Sequence, residues 1–544
     1  MTDNTFNEQH RFGSASWASG FDLAKAGLTG NSGLFIGYKD NQQLRIDSDA
    51  PMITFGGAGS GKTRDLLGYV VCTSPGLPML ILDPRGELER ISRIQHTLNG
   101  EYAYRWNPTG MLGTGGHACN LLDILTLNSP SFHSDTKFIA EGLITLSGGG
   151  SSRYFEQSAR RYAEAILKSD VEQDGYTSFP RFYRTVSAIE SDPHTWGTTL
   201  EAMLNSQFQD VRRVAGEMIA KQNESPKEFG SIIAELYNNT NFLSDPALIA
   251  SLKDKRDREY GNQVTFSLAE LCRTDPVRKI FLNIPAECLS IWSPVIRVFF
   301  TVAMLYKTRN PQARRILLLV DEAGQLGKFE ALMRAVTFGR GGGIKAWSIW
   351  QGIGQVQRSF SPQEFQTFMG SCQVRQFFGV RDYETAKLIS DMLGQESLQY
   401  DDTLAQSRAR KSRMDVMQKA MSGQDPFTLG HELAHHKMAQ NHRSTQARAL
   451  MTPEEILSMP EDRQILFVSG LNLKPTYGEK YPYYTCREMA KYQYLPNPYH
   501  PPTDSVRVQG MFGAKYIPVI TEPVPEKYAL YPQHSDGTWS YCAS

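Results

Sequence analysis

The chain has 544 residues, 40% apolar, 11% aromatic and 21% charged: too long for one ordinary domain, and too rich in core-forming residues for a disordered or fibrous polymer. Its 57 Lys and Arg balance 57 Asp and Glu, so no global positive field draws in nucleic acid or a membrane, and any polyanion has to be gripped locally. The seven cysteines, Cys72, Cys119, Cys272, Cys288, Cys372, Cys486 and Cys542, are scattered without a CxxC pair, which suits a reducing compartment and gives no zinc-ligand spacing.

The first thirty residues carry neither the basic nor the apolar region of a secretory signal, so export by that route is not expected. An apolar run at 52–55 reads as a buried strand, and it leads directly into Gly56, Gly57, Ala58, Gly59, Ser60, Gly61, Lys62 and Thr63, a GxxxxGK[ST] phosphate loop ahead of a helical pattern. Its glycines let successive N–H groups turn toward phosphate oxygens, the helix N-terminus favours negative charge, Lys62 reaches the β and γ oxygens, and Thr63 holds Mg2+. A second strand, 78–82, ends at Asp83, whose plain reading is a strand-end turn cap. From 126 to 274 the strand signal fades and amphipathic helical patterns dominate, among them 154–167, 198–221 and 229–237, which predicts an all-α insertion.

Strand patterns return at 279–284. The apolar stretch 291–306 is broken by Pro294 and Arg297 and falls short of the roughly 20 residues a membrane span needs, so a soluble chain is expected. The run Ile316 to Val320 delivers Asp321 and Glu322 at its C-terminal end, where ligands sit in open α/β sheets. There Asp321 can serve a Mg2+ shell, and Glu322 can orient or deprotonate the attacking water of ATP hydrolysis. A helical pattern at 329–338 precedes the glycine-rich turn that holds Arg340, which reads either as a solvated surface charge or as a finger completing a neighbouring subunit's site. Gln351 follows the strand 345–350 and reads either as a loop amide or as a sensor of the γ-phosphate or its water. A further strand, 374–380, and a helix, 383–393, complete a doubly wound, mainly parallel α/β sheet of the P-loop NTPase type.

The segment 400–448 is polar, with eight Lys or Arg against five Asp or Glu, and is expected to be mobile or peripheral within the core domain. It contains His431, Glu432 and His435 in an HExxH pattern that would make a zinc protease. The extended form of that motif fails, because Met438 and Asn441 stand where glycine and histidine are required, so the match reads as chance. From Pro496 onward eight prolines fall in 49 residues, which excludes regular helix and predicts a tail lying extended over the body or reaching a partner.

With phosphate loop and carboxylate strand placed, the chain resembles the TraG/TraD-like coupling ATPases of type IV secretion and conjugation over roughly residues 11–485. The resemblance rests on Phe12-Gly13-Ser14-Ala15-Ser16-Trp17-Ala18, on Gly33-Leu34-Phe35-Ile36-Gly37, on Asp83-Pro84-Arg85-Gly86-Glu87 and on Tyr154-Phe155-Glu156-Gln157-Ser158. It continues through Asp382 with Glu384-Thr385-Ala386 and through Leu450-Met451-Thr452-Pro453-Glu454-Glu455. It implies a RecA-like motor built from residues 1–125 and 275–487, an all-α domain at 126–274, and a Pro/Tyr-rich tail at 488–544. It also implies a homo-hexamer that binds ATP and Mg2+ and moves a single-stranded DNA–relaxase complex or an effector protein into a secretion channel. By the same resemblance Asp321 and Glu322 are the acidic motif, Gln351 the glutamine that follows it, and Arg340 the arginine finger. Family members usually begin with two membrane helices and this chain does not, so a cytoplasmic place is expected, at most peripheral at the inner membrane through a separate partner. The alternative in another class is a nucleotide-controlled adaptor that recruits substrate without motor activity.

Overall fold

The structure, a computed structural model, describes residues 13–146, 151–257, 263–401 and 443–543, together with 407, 408, 411, 412, 414 and 418. The chain divides into two compact units. The larger comprises Gly20–Gly379, Glu461–Leu473 and Tyr477–Ser544; the smaller comprises Met1–Ser19, Val380–Pro460 and Lys474–Thr476.

The larger unit is organised by an eleven-stranded sheet. In chain order its strands are β1 (Leu34–Lys39), β2 (Gln42–Ile46), β3 (Met52–Gly56), β4 (Met79–Asp83), β5 (Tyr102–Trp106), β6 (Arg278–Asn283), β7 (Ile316–Val320), β8 (Ile344–Trp350), β9 (Val374–Phe378), β10 (Arg463–Val468) and β11 (Thr476–Glu479). Across the sheet they run β2-β1-β11-β10-β9-β3-β8-β7-β4-β6-β5. The seven strands from β9 to β5 are parallel, and β10 joins β9 antiparallel. Strands β3, β4, β6, β7 and β8 are buried at every position, as parallel strands covered on both faces must be, and this is why apolar residues dominate them. The expected doubly wound α/β sheet is present.

Polar pairs fix the sheet's centre. Trp347 Nε1 on β8 donates to Thr54 Oγ1 on β3 at 2.9 Å, and the Thr54 hydroxyl donates to Gln376 Oε1 on β9 at 2.9 Å. Both bonds are buried, so slipping β3 by one residue would leave several polar groups unpaired in the core.

Between β5 and β6 the chain forms helices Ser151–Asp174, Phe179–Ser191, Pro193–Leu204, Gln209–Glu224, Pro226–Thr240 and Pro246–Ser251. The single helix read from 198 to 221 is in fact two helices. The first ends at Leu204 with Asn205 as its C-cap, and the Glu172 carboxylate accepts the Gln207 N–H at 2.6 Å and the Ser206 hydroxyl, giving the chain acceptors outside the helical ladder.

The last residues form a three-stranded antiparallel sheet, Ser505–Gly510, Gly513–Pro523 and Thr538–Cys542. It packs on the helix Glu87–Leu98, where Ile94, Leu495 and Trp539 share one buried cluster. Gln533 donates its amide to Thr97 Oγ1 and to the Glu101 carbonyl, and its Oε1 accepts the N–H of Ala103 on β5.

In the smaller unit the Asp382 side chain caps the helix Tyr383–Leu393, accepting the Thr385 N–H at 2.8 Å. That helix leads into an antiparallel ladder of Gln395–Asp401 with Arg443–Ala449, and the helix Pro453–Leu457 follows behind a reciprocal Thr452/Glu455 cap. A Cβ on Gly13 would stand 2.1 Å from the Gln395 carbonyl oxygen, so only glycine fits there. His431, Glu432 and His435 lie outside the described residues, as does most of the polar stretch that contains them.

Candidate active site

β3 ends at the phosphate loop because the sequence after Phe55 supplies glycine wherever the backbone must turn away from L-residue conformations. Gly59 and Gly61 have φ of 73° and 84°. A Cβ on Gly61 would stand 2.2 Å from Asp65 Oδ2, and one on Gly56 would press at 3.0 Å on Lys62, Ser60 and Phe378 together. The loop passes into a wide helical turn, Lys62–Leu67, continued by Gly68–Thr73. The start of this helix is directed at the C-terminal edge of the sheet, where its free N–H groups and dipole favour an anion.

β7 and β8 end beside this loop. Lys62 Nζ lies 2.7 Å from Glu322 Oε1, and Gln351 Nε2 donates to Glu322 Oε2 at 2.8 Å. Glu322 has φ of 53°, a left-handed conformation unusual for a residue with a side chain, and holding it there costs on the order of 1–2 kcal/mol. The strain belongs to a residue that joins the phosphate-loop lysine to the glutamine of the next strand. Phosphate loop, second carboxylate and glutamine, read separately from the sequence, thus converge on one spot.

Asp321 stands one residue back, buried, accepting the Glu322 N–H at 3.0 Å. Burial pushes its carboxyl up to about 6; Lys62 opposes the rise and Glu322 adds to it. On the neighbouring strand end, burial pushes Asp83 up to about 8, against the Glu89 N–H that bonds it at 3.1 Å and with help from Glu87, Glu89 and Asp321. Asp83 therefore does cap its turn. Three carboxyl groups, Asp83, Asp321 and Glu322, line adjacent strand ends, and Lys62 faces Asp321 and Glu322. Thr63 is half-buried in the first turn of the helix.

Arg340 is not part of this cluster. It is exposed in the turn Gly339–Gly342, which enters β8 at its N-terminal end, whereas Gln351 leaves β8 at the other. Seven residues at about 3.3 Å each put about 20 Å between the two ends, beyond the reach of any side chain. Beside Arg340, Phe338 is 79% exposed.

Sequence reasoning missed Lys480. It follows β11 and is buried beneath the phosphate loop, donating to the Ser60 carbonyl at 2.7 Å, 3.7 Å from Asp65 Oδ2 and 4.2 Å above the centre of the Phe378 ring. Burial lowers its ammonium to about 8, with Asp65 opposing the shift. A lysine between Glu479 and Tyr481, more than four hundred residues from the loop, carries no motif that could have announced it. The tail also reaches this edge of the sheet: Asn497 donates to Glu87 Oε2 at 2.7 Å and the Tyr499 hydroxyl to the Arg85 carbonyl at 3.0 Å.

The strand order and the glycine loop between β3 and its helix define a RecA-like P-loop fold of the α/β class. The chain belongs to the type IV secretory system conjugative DNA transfer family, whose model matches residues 16–502, so the resemblance drawn from the motifs is borne out. It is 25% identical over 431 residues to the type IV secretion system-coupling protein VirD4 of Bartonella quintana, covering 77% of this chain and 61% of that one. To the conjugal transfer protein TraG of Rhizobium radiobacter it is 24% identical over 430 residues, 77% of this chain and 60% of that one. The chain thus spans about three fifths of the length of these relatives. Among solved structures, the unbound conjugative coupling protein TrwBdeltaN70 superposes with a TM-score of 0.58 at 16% identity, covering 86% of this chain and 92% of that one. TrwB in complex with ADP and Mg2+ superposes with a TM-score of 0.58 at 15% identity, covering 86% and 94%. Among the described residues no helix is long and apolar enough to cross a membrane, and no group of three His, Cys, Asp or Glu is placed to hold a metal ion.

Proposed function

We propose that the chain is an ATP-hydrolysing coupling protein that recruits single-stranded DNA with its relaxase, or an effector protein, and drives it toward a type IV secretion channel. The observation that carries this reading is the convergence of Lys62, Glu322 and Gln351 at the ends of β3, β7 and β8. In this reading the loop N–H groups and Lys62 hold the β and γ phosphates. Glu322 takes the proton of the attacking water once Lys62 turns to phosphate, and Gln351 orients that water. Thr63 and Asp321 would hold Mg2+, which when bound supplies positive charge to the phosphate oxygens. Asp321 fits that role because it is a buried carboxyl in a cation-poor cluster, so an added cation would favour its ionised form. The nucleotide complexes of TrwB support the same use of the fold.

Arg340 is assigned to the neighbouring subunit's site in a closed ring, which we take to be a homo-hexamer. The length of β8 keeps it from its own nucleotide, and its exposure leaves it free to reach another. The test is ATP turnover, with and without single-stranded DNA, in rings mixed from Arg340→Ala and Lys62→Ala subunits. Some junctions in such rings pair an intact loop with an intact finger, so partial activity is expected to return. Background activity in verified mixed rings would remove the trans role. A wild-type protein without turnover under any condition would remove the motor.

A further inference from the structure

Lys480 is a buried ammonium that the proposed chemistry does not use. It meets the Ser60 carbonyl of the phosphate loop at 2.7 Å, Asp65 Oδ2 in the turn that follows at 3.7 Å and the Phe378 ring of β9 at 4.2 Å. Asp65 is itself gripped by Arg64, whose Nη2 donates to Oδ2 at 2.9 Å, and lies where any Cβ on Gly61 would strike it. Gly379, also at positive φ, admits Ser60 on the other side, since a Cβ there would stand 2.3 Å from the Ser60 Cβ. The loop is thus clamped from below at two consecutive residues.

The direction of the clamp matters. In a planar trans peptide the C=O and the following N–H point opposite ways. The Ser60 carbonyl is drawn down to Lys480, so the Gly61 N–H of the same peptide is turned away from Lys480 and toward the open side of the loop. Gly61, at φ of 84°, has the freedom to flip this peptide; Lys480 removes that freedom. An unclamped loop would order this N–H only upon binding a phosphate, and affinity would fall by the cost of ordering it.

We infer that Lys480 is a positioning residue for the phosphate loop, presenting the Gly61 N–H to the diphosphate of a bound nucleotide through its hydrogen bond to the Ser60 carbonyl. The inference rests on the nucleotide-binding reading above and assigns that site a preorganising element supplied from the far end of the chain.

The experiment measures affinity for fluorescent mant-ADP with Mg2+ in wild type, Lys480→Met, Lys480→Arg and Lys62→Ala, with thermal unfolding of each in the absence of nucleotide. Lys480→Met is expected to weaken mant-ADP about tenfold per folded molecule, one lost preorganised contact, and Lys480→Arg, which keeps a donor, to recover to within about threefold of wild type. If Lys480→Met does not fold, Lys480→Gln takes its place under the same criterion. Wild-type affinity in the neutral variant, whatever its melting temperature, overturns the inference, because a purely structural lysine would lower stability without touching affinity. Failure of Lys480→Arg to recover overturns it too. If wild type itself does not bind mant-ADP, or Lys62→Ala binds as tightly, the phosphate-loop reading is what has failed; normal binding by wild type and loss in Lys62→Ala isolates the Lys480 result.

Discussion

Asp83 and Glu89 are six residues apart, both buried, and they are treated in opposite ways. At Glu89 burial opposes ionisation, but Arg93 and Arg105 overcome it and hold the carboxyl down at about 2. Arg93 meets Glu89 at 2.8 Å and Asp536 of the tail at 3.3 Å, and Arg105 meets Glu89 at 3.3 Å, so the charges there are matched within the chain. At the strand ends burial pushes Asp83 and Asp321 up to about 8 and 6, and Lys62, which opposes the rise at Asp321, is paired with Glu322. The first group closes a structural joint between helix, sheet edge and tail. The second is left short of positive charge, as a site that receives a cation with its ligand would be. Burial alone therefore does not separate the two groups; whether a cation answers the buried carboxyl does.

Breaking each region should have a different consequence. The largest effect is expected at the site: Lys62→Ala should lower ATP turnover by about 10² or more and weaken nucleotide binding, while leaving the melting temperature within a few degrees of wild type. Steady-state turnover and calorimetry on the same preparation check this. At the joint the order reverses. Arg93→Met leaves the buried Glu89 with Arg105 as its remaining close partner and should destabilise the fold by about 1–3 kcal/mol in denaturant titrations, with turnover per folded molecule little changed. A loss of turnover without loss of stability would show that the joint belongs to the site after all.

A smaller effect is expected in the pH dependence of stability. The folded protein holds a proton on Asp83 that the unfolded chain releases, so this group's contribution to stability is complete below about pH 4 and is lost as pH rises toward about 8. Asparagine is neutral throughout and can still accept the Glu89 N–H. The melting-temperature advantage of Asp83→Asn over wild type should therefore widen between pH 5 and pH 8. An advantage independent of pH would mean that Asp83 is ionised in the folded state.

The parts legible in the sequence were those whose physics is local. Buried parallel strands appear as apolar runs because both faces are covered, and the phosphate loop is a contiguous string with glycine where φ is positive. Glu322 and Gln351 were legible because strand ends in such sheets face the ligand. The break between Leu204 and Gln209 was not, since its reason is Glu172, on another helix. Lys480 and the tail's docking were hidden for the same cause: Gln533, Asp536 and Trp539 find their partners at Thr97, Arg93 and Ile94, more than four hundred residues earlier. Proline spacing excluded regular helix in the tail but held no information about which surface its strands would cover.

We propose that Glu322, held in a left-handed conformation between Lys62 and Gln351, activates water for ATP hydrolysis. The most direct measurement compares Glu322→Gln with wild type for binding of mant-ATP and for phosphate release in a single turnover. Binding should be retained or tightened, because the substitution frees Lys62 for phosphate, while release should fall by about 10² or more. Phosphate release at the wild-type rate in Glu322→Gln would contradict it.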